Sequence, residues 1–104
     1  MRQFDVFDNP VARARRAYPY VVVLQADLAD TGRERIVAPL APLRGLRGSA
    51  GRLTPHVQVD GVDHAVLVPS LTAIPTSDLR DARAHLAQHR EAFSAALDYL
   101  FFGV

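Results

Sequence analysis

Short runs of apolar residues divide the first three quarters of the chain into strands. In residues 3–8, Phe4 and Val6 alternate with polar positions, which is the period of a β-strand. Residues 18–28 contain an uninterrupted apolar run with three consecutive valines, typical of a buried strand. Residues 35–38 predict a third strand, which we expect Pro39 to end.

The clearest local signal is the dipeptide Asp60-Gly61 between two alternating segments, residues 56–59 and 62–68. Asp-Gly in this position is the sequence of a tight β-hairpin turn. Residues 71–75 predict one more short strand.

Two arginine-rich segments separate these strands. Residues 9–17 form the first and residues 42–52 the second, which also contains Gly45, Gly48 and Gly51. Both predict exposed loops, because neither has an apolar period.

The last quarter of the chain changes to a helical period. Residues 84–102 contain no glycine or proline and are rich in helix formers, so they predict one amphipathic helix. Its core-facing stripe comprises Leu86, Phe93, Leu97 and Leu100. Short strands followed by one helix favour a small, partly open barrel or a strongly bent sheet. The 104 residues suffice for one domain over residues 1–104.

Composition removes several classes of chemistry. The chain has no cysteine, and all twelve of its basic residues are arginine. This excludes disulfides, thiolate catalysis, cysteine-ligated zinc, a P-loop lysine and Schiff bases. No apolar run approaches the roughly 20 residues of a membrane span, and the N-terminus lacks the apolar segment of a secretion signal. We therefore expect a cytoplasmic protein with no membrane partner.

Charge is small overall but unevenly distributed. The net charge is +1, which argues against direct binding of nucleic acid. Residues 1–52 hold nine arginines and five acidic residues (+4), whereas residues 53–104 hold three arginines and six acidic residues (−3). The basic half is suited to an acidic partner.

The histidines do not predict a metal site. His85 and His89 are spaced i, i+4 on the predicted helix, but no acidic residue on that strip adds a further ligand. His56 and His64 flank the hairpin turn and are expected on opposite faces of the sheet. The sequence also lacks the common nucleophile, zinc-protease, dinucleotide and calcium motifs. We therefore predict no metal, no catalytic residues and no cofactor.

The end of the predicted helix carries the strongest physical signal. With Leu86 at 0° on a helical wheel, Phe102 falls at about 160° and Asp98 at about 120°, so both project away from the core stripe. An exposed aromatic residue followed by Gly103 and Val104 is typical of an anchor for a partner surface. The alternative is a last turn whose ring folds back onto the sheet.

Six segments along the chain have the order and spacing of the segments of a known protein family. They are Gln3-Phe4-Asp5-Val6, Gln25-Ala26-Asp27-Leu28-Ala29-Asp30-Thr31, Ile36-Val37-Ala38-Pro39-Leu40, Pro55-His56-Val57, Thr72-Ala73-Ile74-Pro75 and Leu100-Phe101-Phe102-Gly103-Val104. Together they resemble the CcdB family of plasmid and chromosomal toxins, which poison DNA gyrase. The last segment is the most specific.

The resemblance implies a mainly β fold with one C-terminal α-helix: an SH3-like barrel, the CcdB/MazF-like toxin fold. It further implies a non-enzymatic homodimer that binds the A subunit of DNA gyrase and traps its cleaved-DNA complex. The gyrase-binding residues it implies are Leu28, Ala29, Asp98, Phe102, Gly103 and Val104. Where the family usually has a tryptophan, an asparagine and an Ile-Ile pair, this chain has Phe102, Asp98 and Leu28-Ala29.

The resemblance also implies a neutralising partner. In the family this is a CcdA-like antitoxin, whose acidic and largely disordered segment folds on the toxin. The arginines of the first basic loop are its expected contacts: Arg13, Arg15 and Arg16.

Two other functions stay open. A MazF/Kid-like endoribonuclease toxin has the same barrel, and Arg13, Arg15 and Arg33 with Asp30 would supply its basic and acidic groups. A degenerate CcdB-like dimer that is not toxic and only binds an antitoxin is the second, motivated by the residues at positions 98 and 102.

Overall fold

A computed structural model describes residues 1–45 and 51–104 of the chain. Residues 46–50 of the predicted loop 42–52 lie outside this description. Within it, the strands are β1 (Asp5–Asp8), β2 (Tyr20–Val23), β3 (Glu34–Pro42), β4 (His56–Val59), β5 (Val62–Val66), β6 (Thr72–Pro75) and β7 (Ala84–His85). The α-helix α1 spans Arg90–Phe102. Short 3-10 helices occupy Ala12–Ala14, Asp27–Ala29, Leu43–Gly45, Val68–Ser70, Thr76–Asp78 and Ala87–His89.

The strands form one antiparallel sheet that curves into a nearly closed barrel, with α1 as its C-terminal helix, and this confirms the predicted fold class. The strand order is β4-β5-β3-β2-β1-β7, and β6 pairs with β3 outside this path. Strand β3 is central because its first half pairs with β6 and its second half with β5, while β2 runs along its other side.

The prediction that Pro39 ends the third strand is wrong, since β3 continues to Pro42. Pro39 lies opposite Val21 of β2. On its other side its carbonyl accepts a hydrogen bond from the Leu67 N–H at 2.9 Å. The N–H and C=O of one strand residue point to the same side, so the N–H that Pro39 lacks would face the place where β3 changes partner from β6 to β5. A proline there interrupts no hydrogen-bond ladder.

Both faces of β2 are covered, which explains its uninterrupted apolar sequence. Val22 packs in the larger core with Phe93 of α1. Val21 and Val23 point to the opposite face and join a smaller core with Leu79. Successive side chains of a strand alternate between its two faces. When both faces are buried, every position of the strand is therefore expected to be apolar. This strand is nevertheless shorter than the predicted residues 18–28, and β1 is shorter than residues 3–8.

The β4–β5 hairpin has the predicted turn. Asp60 and Gly61 have φ values of 55° and 74°, which matches the pair of positive φ angles of a type I′ turn. His64 lies opposite Val57 and is buried, and His56 therefore belongs to the other face. The predicted separation of the two histidines is confirmed.

The predicted start of the helix at residue 84 is wrong by six residues. Ala84 and His85 instead pair with β1 as strand β7, and the Leu86 N–H donates to the Phe4 carbonyl at 2.9 Å. Pairing with β1 thus overrides the helix propensity of this segment. Leu86 still reaches the core with Phe93, both at most 1% exposed, so the core stripe survives although Leu86 is not helical.

Candidate functional site

The end of α1 and the residues that follow it expose apolar side chains. Phe102 is 76% exposed and Val104 is 79% exposed. Asp98, one turn before Phe102 on the same helix face, is exposed as well. Phe93 and Ala96 face the core with no exposed surface. Phe102 therefore projects away from the protein body as the helical wheel predicts, and its ring does not fold back onto the sheet.

Gly103 ends the helix in the left-handed conformation, with φ 70° and ψ 17°. Its N–H donates to the Tyr99 carbonyl at 3.0 Å, which is a common way to close a helix. A Cβ at this position would have no neighbouring atom within 4 Å. In the free protein, glycine is therefore favoured by its backbone conformation and not by lack of space.

Gly103→Ala is expected to destabilise the last turn of α1 by about 1 kcal/mol, since an L residue with a side chain is strained there. Gly103→Asn should cost less, because asparagine tolerates this conformation. Thermal unfolding of the two variants beside the wild type measures the difference. An alanine variant as stable as the wild type would contradict the strain.

Leu28 and Ala29, the second part of the predicted site, lie in the short helix Asp27–Ala29 that follows β2. The relative exposure of Leu28 is 102%, so its side chain is entirely in solvent. The backbone around it is nevertheless tied down. The Gln3 N–H donates to Asp27 Oδ1 at 2.8 Å, and Gln25 Nε2 donates to the Ala29 carbonyl at 2.6 Å. The loop of Asp27–Ala29 therefore presents the apolar side chain of Leu28 to solvent from a backbone that hydrogen bonds hold in place.

A buried arginine supports this loop from within. Arg35 in β3 is 2% exposed and is the largest fully buried side chain of the described residues. Its Nη2 donates to Asp27 Oδ1 at 2.9 Å and to the Gln25 carbonyl at 3.1 Å, and its Nη1 lies 3.6 Å from Asp30 Oδ2. The two acids bracket Leu28 in sequence, so Arg35 fixes both ends of the exposed segment. Sequence reasoning missed this role.

The hydrogen bond from Arg35 is the main reason why the pKa of Asp27 lies below its ordinary value of 3.8. A lowered carboxyl pKa stabilises the fold above the unfolded-state value, and the stabilisation is lost as the pH falls through the folded-state value. We expect Asp27→Asn to remove this contribution. The free energy of unfolding should then fall less steeply than in the wild type as the pH is lowered below about 4. Urea unfolding across this range measures both slopes, and equal slopes would contradict the role of Asp27.

An apolar cleft of about 350 Å³ lies between α1 and the residues that directly follow β2. Phe101, which is 61% exposed, borders it beside Leu97. The complete lining is Leu24, Gln25, Ile36, Leu71, Leu97 and Phe101. The lining residues Gln25 and Phe101 are close in sequence to Leu28 and Phe102, but none of the six predicted gyrase contacts lines the cleft itself.

The three arginines of the first basic loop are exposed and lie apart from this cleft's lining. Arg13 belongs to the short helix Ala12–Ala14. The Arg15 Nε donates to the carbonyl of Asn9, and Asn9 in turn is buried and donates from Nδ2 to the Tyr18 carbonyl at 2.9 Å. The loop thus has a defined backbone that presents Arg13, Arg15 and Arg16 to solvent.

The two histidines at the start of the predicted helix do not share a face of α1, which corrects that part of the prediction. His85 lies in β7, where its Nδ1 is 2.8 Å from Asp5 Oδ1. His89 precedes α1, and its ring lies 6.2 Å from that of Phe93. Throughout residues 1–45 and 51–104, no three His, Cys, Asp or Glu side chains are placed to hold a metal ion.

The groups suggested for a ribonuclease are differently engaged. Asp30 contacts the buried Arg35 and accepts the Gly32 N–H at 2.8 Å. Arg13 and Arg15 precede β2, whereas Asp30 and Arg33 follow it, so these pairs leave opposite ends of one strand.

The chain is thus a nearly closed barrel whose C-terminal helix ends in exposed apolar side chains. The family model described as "CcdB protein" matches residues 3–103, and the chain belongs to the CcdB family. This membership supports a toxin of a toxin–antitoxin system. Among the described residues, no helix is both long and apolar enough to cross a lipid bilayer.

Proposed function

We propose that this chain is a toxin, one domain over residues 1–104, that binds the A subunit of DNA gyrase and traps its complex with cleaved DNA. The observation that carries the proposal is the 76% exposed ring of Phe102 at the end of a helix anchored in the core. A ring this exposed contributes little to the fold of its own subunit and is suited to be buried by a partner. The protein acts in the cytoplasm by binding, without catalysis or a cofactor.

The proposed gyrase contacts are Leu28, Ala29, Asp98, Phe102, Gly103 and Val104. Phe102 and Leu28 supply the apolar area that is buried on binding. Gly103 lets the target approach the backbone, since it has no side chain to hold the target away. Asp98 lies beside Phe102 and has to pair with a donor of the target to be buried at low cost.

The protein acts as a homodimer in this proposal. The apolar cleft beside Phe101 supports it, because exposed apolar area of this kind is typical of a surface that a second protein covers. A twofold dimer presents two copies of the Phe102 surface, and a twofold target such as the gyrase A dimer receives both. Tighter binding to the open, cleaved state than to the closed one shifts gyrase towards cleavage.

The neutralising partner is a CcdA-like antitoxin. Its acidic segment binds the exposed Arg13, Arg15 and Arg16, which lie on an ordered loop of the basic half of the chain. Charge attraction of this kind speeds association and weakens as salt is added.

Calorimetric titration of the purified protein into the purified gyrase A subunit tests the proposal. We expect saturable binding with one toxin dimer for each gyrase A dimer. A chain that binds a CcdA-like antitoxin but shows no heat with gyrase A would be the degenerate, non-toxic dimer instead. Cleavage of RNA by the purified protein would favour the endoribonuclease.

Phe101→Asp provides the matching test of the dimer. We expect this change to shift the molar mass measured by light scattering from two chains to one, because it places a charge in the apolar cleft. The control is Val62→Asp, which changes a half-exposed valine of the β4–β5 hairpin outside the cleft lining. A monomeric wild type, or equal masses for the two variants, would contradict the proposed interface.

A further inference from the structure

A basic residue from another part of the chain lies beside the exposed end of α1. The guanidinium carbon of Arg52 is 4.9 Å from the centroid of the Tyr99 ring. Arg52 precedes β4 in the chain, so this is a tertiary contact and not a feature of the helix itself. Tyr99 is three residues before Phe102, and residues at this spacing are neighbours on a helix surface. The Phe102 end of the helix is therefore bordered by a cation.

The cation–π contact with Tyr99 holds the guanidinium of Arg52 beside the helix end. A cation–π contact uses none of the five N–H donors of an arginine, so they stay available to an acceptor. Arg52 is exposed, and within residues 1–45 and 51–104 no hydrogen bond or ion pair engages its guanidinium. Arg35 and Arg83, by contrast, are paired with Asp27 and Asp8 at 2.9 Å and 2.7 Å.

We propose that Arg52 is a specificity-determining residue that binds a carboxylate of the target protein at the rim of the Phe102 surface. The inference rests on the proposed function and adds a contact to it. A preorganised, planar guanidinium with free N–H groups matches a carboxylate through two parallel hydrogen bonds. Tyr99 is the positioning residue, since it holds Arg52 in place before the target arrives.

The local charge favours a single carboxylate over the phosphates of nucleic acid. Asp98 lies one residue before Tyr99, and the last turn of α1 contains no basic residue. The carbonyl end of a helix also carries a partial negative charge. The row of phosphates on a nucleic acid would extend over this negative surface and be repelled. A single carboxylate side chain that contacts only Arg52 would not extend over it.

Four variants of the full chain test whether Arg52 binds a carboxylate of the target, with binding to purified gyrase A as the readout. Arg52→Gln removes the charge and should weaken binding about tenfold. Tyr99→Leu keeps Arg52 but removes the ring face, and should weaken binding about threefold. Tyr99→Phe keeps the ring and should bind like the wild type. Arg80→Gln, the matched control for net charge, changes an exposed arginine whose Nε is bonded within its own turn to the Ser77 carbonyl and should have no effect.

The loss in Arg52→Gln should shrink as salt is raised, because an exposed ion pair is screened. The inference is overturned if Arg52→Gln and Arg80→Gln bind gyrase A equally well. It is also overturned if Arg52→Gln lowers the melting temperature and leaves binding unchanged, since Arg52 then only stabilises the helix end. A loss that appears only when DNA is added would assign Arg52 to a phosphate. Failure of the wild type to bind gyrase A overturns the proposed function itself.

Discussion

Phe102→Ala should weaken binding to the gyrase A subunit by about 2 kcal/mol, roughly thirtyfold, as expected for the central aromatic anchor of an interface. The free energy of unfolding should stay within about 0.5 kcal/mol of the wild type, because the ring contributes little to its own core. Titration calorimetry and urea unfolding of the same preparation measure the two quantities. Loss of binding without loss of stability is the signature of a contact residue.

The matched control is Val62→Ala, which removes apolar surface from another half-exposed side chain, 51% exposed, far from α1 in sequence. It should leave gyrase binding unchanged. Equal affinities of Phe102→Ala and the wild type for gyrase A would show that the helix end is not part of the interface with gyrase.

Arg35→Ala should destabilise the protein by about 3 kcal/mol, the largest effect on folding that we expect from one polar residue. The change empties the space of a fully buried side chain, and it removes the hydrogen bonds that tie Asp27 and the Gln25 carbonyl to β3. The midpoint of urea unfolding measures it. The loop that presents Leu28 should also become accessible to proteases, because its internal support is gone.

Arg33→Ala is the control for this prediction. Arg33 precedes β3, carries the same charge and is exposed, so its removal should change stability by no more than about 0.5 kcal/mol. If both variants unfold at the same urea concentration, Arg35 is not the support of the loop.

Local signals in the sequence were sufficient where one short segment decides the structure. The Asp60-Gly61 turn forms as predicted, because two adjacent residues with positive φ determine the register of both strands. The prediction failed where a distant partner decides. Pro39 stays within β3 because the sheet changes partners there, and Ala84 and His85 pair with β1 although their own propensity is helical.

In the candidate site, too, local sequence signals predicted some features, whereas others depend on distant parts of the chain. The helical period alone places Phe102 and Asp98 on the side of α1 away from the core, since their angle to Phe93 does not depend on where the helix begins. The part played by Arg35 required the fold. The only signal for it was a charged residue two positions before Val37, on the same face of β3, with acids at Asp27 and Asp30 upstream. Contact between Arg52 and Tyr99 joins segments that no local pattern connects.

The most direct test of the account is a gyrase cleavage-complex assay with the intact chain beside a chain shortened by its last three residues, Phe102 to Val104. The intact protein should convert supercoiled plasmid to linear DNA when the gyrase is denatured, and the shortened protein should leave it uncut. A folded, shortened protein that linearises as much DNA as the intact one would contradict the claim that this helix end binds gyrase.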